Sequence, residues 1–373
     1  MFVLATSGLA PLVRRELAAL PGVSITDVGN DGRADVVLCE VEAGRERGLL
    51  QLRTVEDVFV EVGRTLRSEG DRPPWIARRL VRPSRLSTGV RLWQGQSRDG
   101  TSREDKSRAS RSGGGRSRDG RPGSGRAKRS SRPGPMTYRV VARVLSERTW
   151  QRTQLRRALG ESVSAAEPRW QSADPARLEL WAIEYTKGCF VAGVRLTTVR
   201  MRQHGGRASE RPGALRPTVA AAMVALAGQP QSGGILLDPC CGSGTILAEA
   251  KTVGWRAVGR DIDQAAVSAS RRNVSRAEVE IGDVRDLDLG DASVDACVSN
   301  LPFGRQYDVQ GEPRAWLAGV LAELVRVTRP GGRIVLLVPE VAASVIPARL
   351  RQRDRLSVRL LGTSSTIWMF ERR

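Results

Sequence analysis

The sequence predicts an α/β protein in two parts, and three observations carry that reading. From Ile235 onward, short apolar strands alternate with helical stretches, the pattern of a parallel, doubly wound sheet. The first 65 residues read strand, helix, strand, strand, helix, strand, the order of a small ferredoxin-like α/β unit. Between these parts the apolar pattern breaks, because residues 96–135 contain no Val, Ile, Leu, Met or aromatic residue.

Taken in order, Phe2–Ala5 is a predicted strand, and Gly8–Leu20 a helix with Leu9, Leu12, Val13, Leu17 and Leu20 on one face. Thr26–Val28 and Ala34–Cys39 flank the Asn30–Gly32 turn as a hairpin. A second helix is expected over about Ala43–Leu52, and Val55–Val62 reads as extended. Pro74–Val81 then predicts a helix, Gly89–Trp93 and Tyr138–Leu145 strands, Thr153–Val163 a helix, and Leu178–Tyr185 and Phe190–Leu196 strands. The C-terminal part places strands at Ile235–Leu237, Ala257–Gly259, Val279–Ile281, Ala296–Ser299 and Arg333–Val338, with Leu356–Leu361 and Thr366–Glu371 as a closing hairpin.

Charge is distributed unevenly. Sixty Lys+Arg against forty Asp+Glu give +20, split as +2 over residues 1–95, +8 over 96–136, +8 over 137–229 and +2 over 230–373. A basic middle beside a near-neutral C-terminal part points to a polyanion-binding module joined to a catalytic or small-molecule module, with nucleic acid the favoured polyanion. Only four of the basic residues are lysines, so codon bias accounts for the preference for arginine but not for the unevenness. Residues 96–135 cannot bury enough apolar surface to offset the entropy of ordering and are expected to be disordered, as either a basic arm along RNA phosphates or a tolerated insertion. The Arg143, Arg148, Trp150, Arg152, Arg156, Arg157 mixture either stacks on RNA or places its tryptophans in a core.

Five cysteines at scattered spacings and the single histidine, His204, supply neither a disulfide framework nor a metal-ligand cluster. No basic n-region precedes the N-terminal apolar stretch and no apolar run reaches the roughly 18 residues of a membrane span, so a cytosolic protein without membrane contact is expected.

The chemistry concentrates at the ends of the C-terminal strands. The strand at 235–237 runs into Asp238-Pro-Cys-Cys-Gly242-Ser-Gly244 and then a helix. This is not a phosphate loop, since an acid leads it, the third glycine of a dinucleotide fingerprint is missing and no Gly-Lys-Ser follows. Asp261 ends the second strand and Asp283 follows the third. Three acids at successive strand ends suit S-adenosylmethionine, with Asp238 near its amino group, Asp261 at the ribose, and Asp283 with Val284 at the adenine. The fourth strand ends in Asn300-Leu301-Pro302-Phe303-Gly304. The exocyclic amine of a base is a poor nucleophile, because its lone pair is delocalised into the ring. Acceptors for its hydrogens, the side-chain oxygen of Asn300 and the carbonyl of Leu301, can turn that lone pair toward a methyl donor while Phe303 stacks on the base and Pro302 stiffens the turn. His204 either lines the cofactor site or is a solvated linker residue, and no nucleophilic role falls to Cys240 or Cys241.

The segments DPCCGSGTILAEA (238–250), GRDID (259–263), GDVRDL (282–287) and NLPFG (300–304) resemble a class I methyltransferase of the THUMP-domain tRNA (guanine-N2)-methyltransferase family, TrmN type. The N-terminal FVLATSGLAPLVRREL and LRPTVAAAMVALA (215–227) are similar to the same family, so the resemblance covers nearly the whole chain except the 96–135 insert. Leu301 replaces the first proline of the commoner motif, which fits this family better than adenine-N6 or protein-glutamine methyltransferases.

The resemblance implies a ferredoxin-like domain at 1–65, a THUMP RNA-binding domain at 66–197 interrupted by the insert, a connector at 198–229, and a Rossmann-like methyltransferase domain at 230–373. It implies S-adenosyl-L-methionine held by Asp238, Pro239, Cys240, Gly242, Gly244, Thr245, Asp261, Ile262, Asp283, Val284 and Asn300, with Asn300, Leu301, Pro302 and Phe303 serving the base. The expected product is N2-methylguanosine in tRNA, typically at position 6 of the acceptor stem, made by a monomer without metal. Ribosomal RNA as substrate, or a non-catalytic RNA-binding protein retaining the fold, are the alternatives.

Overall fold

The computed structural model describes residues 1–66, 70–109, 135–204, 213–302, 312–360 and 362–373, with backbone alone over 97–109. The described contacts gather the chain into two compact units, Met1–Phe2 with Val58–Leu196, and Val3–Asp57 with Thr197–Arg373.

The N-terminal elements follow the predicted order: β1 (Phe2–Thr6), α1 (Ala10–Ala18), β2 (Val23–Asn30), β3 (Ala34–Val41), α2 (Glu46–Leu49) and β4 (Val55–Thr65). The strands β2, β3 and β1 lie side by side in that order. The start of α1 is satisfied from outside the helix, because the Asp35 carboxylate accepts the Gly8 and Ala10 N–H groups at 2.8 and 2.7 Å. Phe2 of β1 stacks on Phe59 of β4 with centroids 4.6 Å apart. At the other end of the two strands, the Thr6 hydroxyl donates to Glu56 at 2.9 Å. The expected ten-residue helix after β3 is a single turn, α2; Gly44, with φ +88°, stands just before it.

The first unit continues through α3 (Pro73–Leu80), α4 (Pro83–Ala109), β5 (Thr137–Arg143), α5 (Arg152–Ala166), β6 (Gln171–Ser172), β7 (Leu178–Thr186) and β8 (Cys189–Arg195). Its strands run in the order β4-β8-β7-β5-β6. Leu155, Leu159 and Val163 bring one face of α5 into a core shared with Ile76 and Leu80 of α3 and Leu178, Leu180 and Phe190 of the sheet.

Two expectations fail here. Gly89–Trp93 is helical, because Leu86 and Val90, one turn apart, face the core and Trp93 packs beside them. The helix then continues to Ala109, so residues 96–109 of the segment expected to be disordered have helical backbone. Propagation from a packed first turn adds a hydrogen bond per residue without needing apolar side chains. The rest of that segment up to 134 lies outside the described residues. Trp150 packs against the core beneath Arg148, whose guanidinium carbon is 5.7 Å from the ring centroid, in keeping with the core alternative, whereas Arg152, Arg156 and Arg157 are exposed along α5.

The second unit adds α6 (Val199–Arg202), α7 (Pro217–Ala227), β9 (Ile235–Asp238), α8 (Thr245–Thr252), β10 (Arg256–Asp261), α9 (Gln264–Asn273), β11 (Glu278–Ile281), β12 (Val294–Asn300), α10 (Pro313–Val327), β13 (Thr328–Val338), β14 (Leu350–Leu360) and β15 (Thr363–Arg372). The seven strands run β11-β10-β9-β12-β13-β15-β14, parallel except for β15. This is the doubly wound sheet that the alternating pattern predicted and the Rossmann-like fold that the resemblance implied, with the C-terminal hairpin closing one side.

On one sheet face, Leu317, Leu321 and Leu324 of α10 are fully packed against Leu237, Cys297, Ile334, Leu336 and Phe370, and each such leucine contributes about 2 kcal/mol of burial. On the other, α7 (PTVAAAMVALA) is apolar all round and almost wholly buried. The strand order reverses between β9 and β12, which opens a crevice beyond their carboxyl ends.

Candidate active site

That crevice is a cavity of about 510 Å³ in the second unit, within the roughly 300–1,000 Å³ usual for a cofactor-sized ligand. Asp238, Pro239, Cys240, Gly242, Thr245, Asp261, Ile262, Asp283, Val284, Asn300 and Pro302 line it, so the cavity unites most of the residues singled out from sequence.

The loop after β9 is shaped by glycine at two points. Gly244, with φ +84°, begins α8 in the left-handed region, and a Cβ there would stand 2.5 Å from Ser270 Oγ. Gly244 therefore lets the loop lie against α9 and does not itself line the cavity. Gly242, with φ +53°, does line it, and no atom lies within 4 Å of where its Cβ would be.

Asp238 is 1% exposed. Its Oδ1 accepts from the Ser299 hydroxyl at 2.7 Å and from the Cys240 N–H at 3.3 Å. Burial pushes its carboxyl up to about 7; the two hydrogen bonds oppose that shift and the charge of Asp261 adds to it. Asp261 ties the loop down, with Oδ2 accepting the Gly242 N–H at 2.8 Å and Oδ1 the Asp263 N–H at 3.0 Å. Each of those oxygens retains a second lone pair for a ligand hydroxyl. Asp283 is gripped by Arg285 through Nε at 3.1 Å and Nη2 at 2.6 Å, which holds its carboxyl below the usual carboxylate range. Ile262, although apolar, is 74% exposed and lines the cavity.

Asn300 ends β12, where β13 pairs it with Leu337. Leu301 turns its side chain into the apolar cluster beneath, so only its backbone can serve the cavity. Phe303 and Gly304 lie outside the described residues. Burial raises the thiols of Cys240 and Cys241, which therefore stay protonated and weakly nucleophilic.

His204 neither lines the cavity nor sits in solvent. Its Nδ1 is 2.8 Å from Oε1 of Glu249 on α8, and Arg53 grips the same carboxylate through Nε at 2.7 Å and Nη2 at 2.9 Å. Burial alone would raise the Glu249 carboxyl, but the hydrogen bonds from His204 and Arg53 hold it below its usual value. Sequence reasoning also missed Ser299, Arg285, Trp316 and Gly213–Leu215. Trp316 and Arg285 line the cavity with Gly213, Ala214 and Leu215. The first four residues of GDVRDL already contain Arg285 two positions after its carboxylate, whereas nothing local marks the others.

The cavity fits S-adenosylmethionine on its own chemistry. A buried carboxylate can meet the ammonium, a second acid faces the space where ribose hydroxyls would lie, and the exposed Ile262 offers a wall for a flat ring. The Ser243 hydroxyl on the lining has no hydrogen-bond partner among the described residues, capacity that a polar ligand would use. Among the described residues no group of three His, Cys, Asp or Glu is placed to hold a metal, and no helix is long and apolar enough to cross a membrane.

Residues 204–359 match the UPF0020 family model, described as RMKL-like, methyltransferase domain. The chain is 37% identical over 161 residues to the tRNA (guanine(10)-N2)-dimethyltransferase of Methanothermobacter thermautotrophicus, a match covering 40% of this chain and 46% of that protein. It is 36% identical over 143 residues to the U6 snRNA (guanine-N(2))-methyltransferase THUMPD2 of Bos taurus, covering 36% of this chain and 27% of that one. The chain thus spans less than half the length of these curated relatives. Its fold is similar to that of TrmN from Thermus thermophilus, with a TM-score of 0.71 at 20% identity, covering 100% of this chain and 99% of the other. The family match is thus to a methyltransferase domain, and the cavity within it fits S-adenosylmethionine as a methyl donor.

Proposed function

We propose that the protein is an RNA guanine-N2 methyltransferase that forms N2-methylguanosine in tRNA, with guanosine 6 of the acceptor stem as the target. The observation that carries this reading is the placement of Asp238 and Asn300 at the ends of the adjacent strands β9 and β12, both lining one cavity. The names of the two relatives, both guanine-N2 methyltransferases of RNA, support the choice of base and of RNA.

S-adenosylmethionine supplies an electrophilic methyl group on a sulfonium. In this reading Asp238, ionised, takes the ammonium; Pro239, Cys240, Gly242 and Thr245 shape the wall around the amino-acid end; and Asp261 accepts from the ribose. Asp283, Val284 and Ile262 hold the adenine, with Gly244 setting the turn that brings the loop close. Asn300 Oδ1 and the Leu301 carbonyl accept the two hydrogens of the guanine N2 amine, which frees its lone pair to face the methyl group. Pro302 limits the motion of that turn, and Phe303 stacks on the base. Once the N2–methyl bond forms and the sulfur–methyl bond breaks, the nitrogen carries an extra proton, which passes to water. No covalent enzyme intermediate is required.

The test is methyl transfer from labelled S-adenosylmethionine to separated, unmodified tRNA and ribosomal RNA, with nucleoside analysis of the product. N2-methylguanosine in tRNA is expected. Label only in ribosomal RNA would shift the substrate, and cofactor binding with no label in any RNA would leave a binding protein.

A further inference from the structure

The two outer strands of the seven-stranded sheet carry opposite charge. β14 bears Arg351, Arg353, Arg355 and Arg359 against one acid, Asp354, whereas β11 bears Glu278 and Glu280 and no basic residue. Charge of either sign on an edge strand blocks pairing with another sheet. A general preference for arginine would load both edges alike. Glu278 and Glu280 answer arginines of the next strand, Arg256 and Arg260 of β10, each at 3.2 Å, whereas the arginines of β14 are not all matched in this way.

Arg353 is committed to Glu371, with Nε 3.0 Å from Oε2. Arg355 and Arg359 are exposed, and among the described residues no carboxylate pairs with either. The Arg355 guanidinium lies over Trp368, 5.6 Å from its centroid, which presents the planar group without neutralising it. The end of the strand is fixed as well. Arg359 donates its N–H to the Ser7 carbonyl at 3.0 Å, and Gly8 passes so close that a Cβ would stand 1.8 Å from the Ser357 carbonyl oxygen.

The sheet register relates these arginines to the site. β14 and β13 are both antiparallel to β15, so β14 points the same way as β12. Asn300 pairs with Leu337, Leu337 with Ile367 and Ile367 with Leu356. Leu356 therefore shares a row with Asn300 at three strand spacings, about 14 Å. Arg355 stands one residue before that row. Arg359 stands three residues beyond it, about 10 Å further toward the edge on which the cavity opens.

We propose that Arg355 and Arg359 take backbone phosphates of the RNA strand that flanks the base held at Asn300, a few nucleotides from it. This rests on the RNA methyltransferase reading above. The guanidinium fork matches phosphate oxygens two at a time, and the stacked, backbone-anchored setting lowers the cost of fixing it.

The experiment compares the full-length chain with Arg355→Gln/Arg359→Gln, with Arg355→Lys/Arg359→Lys, and with Arg359→Gln alone, which keeps the stack on Trp368. Affinity for unmodified tRNA is measured over a salt series, and calorimetric affinity for S-adenosylmethionine reports that each variant is folded. Removing both charges is expected to weaken tRNA binding about tenfold and to reduce the salt slope by about one to two, with the lysine pair restoring the slope. Arg359→Gln alone is expected to give about half of that change. If the wild type methylates RNA and the Gln variants keep its affinity and salt slope, the strip proposal alone falls. A wild type that methylates no RNA removes the functional reading and the strip with it.

Discussion

The Ser299 hydroxyl donates at 2.7 Å to Oδ1 of Asp238, a carboxyl almost closed off from water at the head of the glycine loop. Strands β12 and β9 are neighbours, so the residue before Asn300 on one strand conditions the acid proposed for the cofactor ammonium on the other.

Cofactor affinity should therefore depend on pH near neutrality. Burial sets the Asp238 carboxyl at about 7, and its anionic form is the one that attracts an ammonium. Below pH 7, S-adenosylmethionine binding is expected to weaken by up to tenfold per unit. Ser299→Ala removes a hydrogen bond that favours the anion and should move the profile to higher pH, while Asp238→Asn should flatten it. Calorimetric titration between pH 5.5 and 8.5 reads all three, and a flat wild-type profile would remove the role given to Asp238.

The same group makes the ligand-free protein less stable as pH rises. Its folded pKa lies above the usual 3.8, so the folded state holds its proton more tightly than the unfolded chain does. This contribution is fully present below about pH 4 and is lost as pH rises through about 7. Urea midpoints with and without S-adenosylmethionine should diverge across that window, the cofactor offsetting the loss.

Asn300→Ala should lower turnover by about 10²–10³-fold while leaving cofactor affinity within about threefold, the cost of removing one preorganised partner of the reacting group. Single-turnover transfer to tRNA checks the first and calorimetry the second. Retained turnover would mean that another acceptor orients the amine.

Glu249→Ala should destabilise the fold by about 3 kcal/mol, because Arg53 and His204 would lose the buried carboxylate they share. The wild-type Glu249 carboxyl sits below its usual 4.5, so its contribution is present above that pH and is lost as pH falls through the folded value. Denaturant unfolding at pH 7 and pH 4 should show the mutant penalty shrinking in acid.

Gly244→Ala should cost about 2 kcal/mol or more, since it combines φ +84° with a Cβ 2.5 Å from Ser270 Oγ. Thermal unfolding measures the loss, and Gly244→Ala/Ser270→Gly should recover little of it, because Val274 Cγ2 would still stand 2.8 Å from the Cβ and the positive φ is unchanged.

Much of the sheet was legible because each strand end carries its own punctuation: Asp238 before glycines, Asp261 before an Asx-capped helix, Asn300 before proline. The misread strand at Gly89–Trp93 shows the limit of a short window. Val90 and Leu92 alternate around Arg91 as a strand would, and only when Leu86 is included does the one-turn spacing of a helix appear. The contacts of Ser299, Glu249 and His204 were invisible for a different reason. Their partners lie 61 residues away for Ser299 and 45 for the His204–Glu249 pair, so neither residue type nor local spacing marks the contact. Leu301 was legible as part of a turn, but its side chain's place in the core depended on α10 packing over it.

The second unit is assembled from Val3–Asp57 and Thr197–Arg373, whereas the segment that matches the methyltransferase family begins at residue 204. What is recognisable by descent and what folds as a body are thus cut from the chain at different places. Arg53 reaches Glu249, Glu56 receives Arg216 and Ser7 receives Arg359, all across that gap in sequence. A piece transplanted from residue 204 onward would leave behind the partners of its own helix α8 and of its outermost strand. Portability here belongs to the pair of segments, and an engineered fusion or circular permutation that keeps Val3–Asp57 with the C-terminal part should be the smallest transferable form.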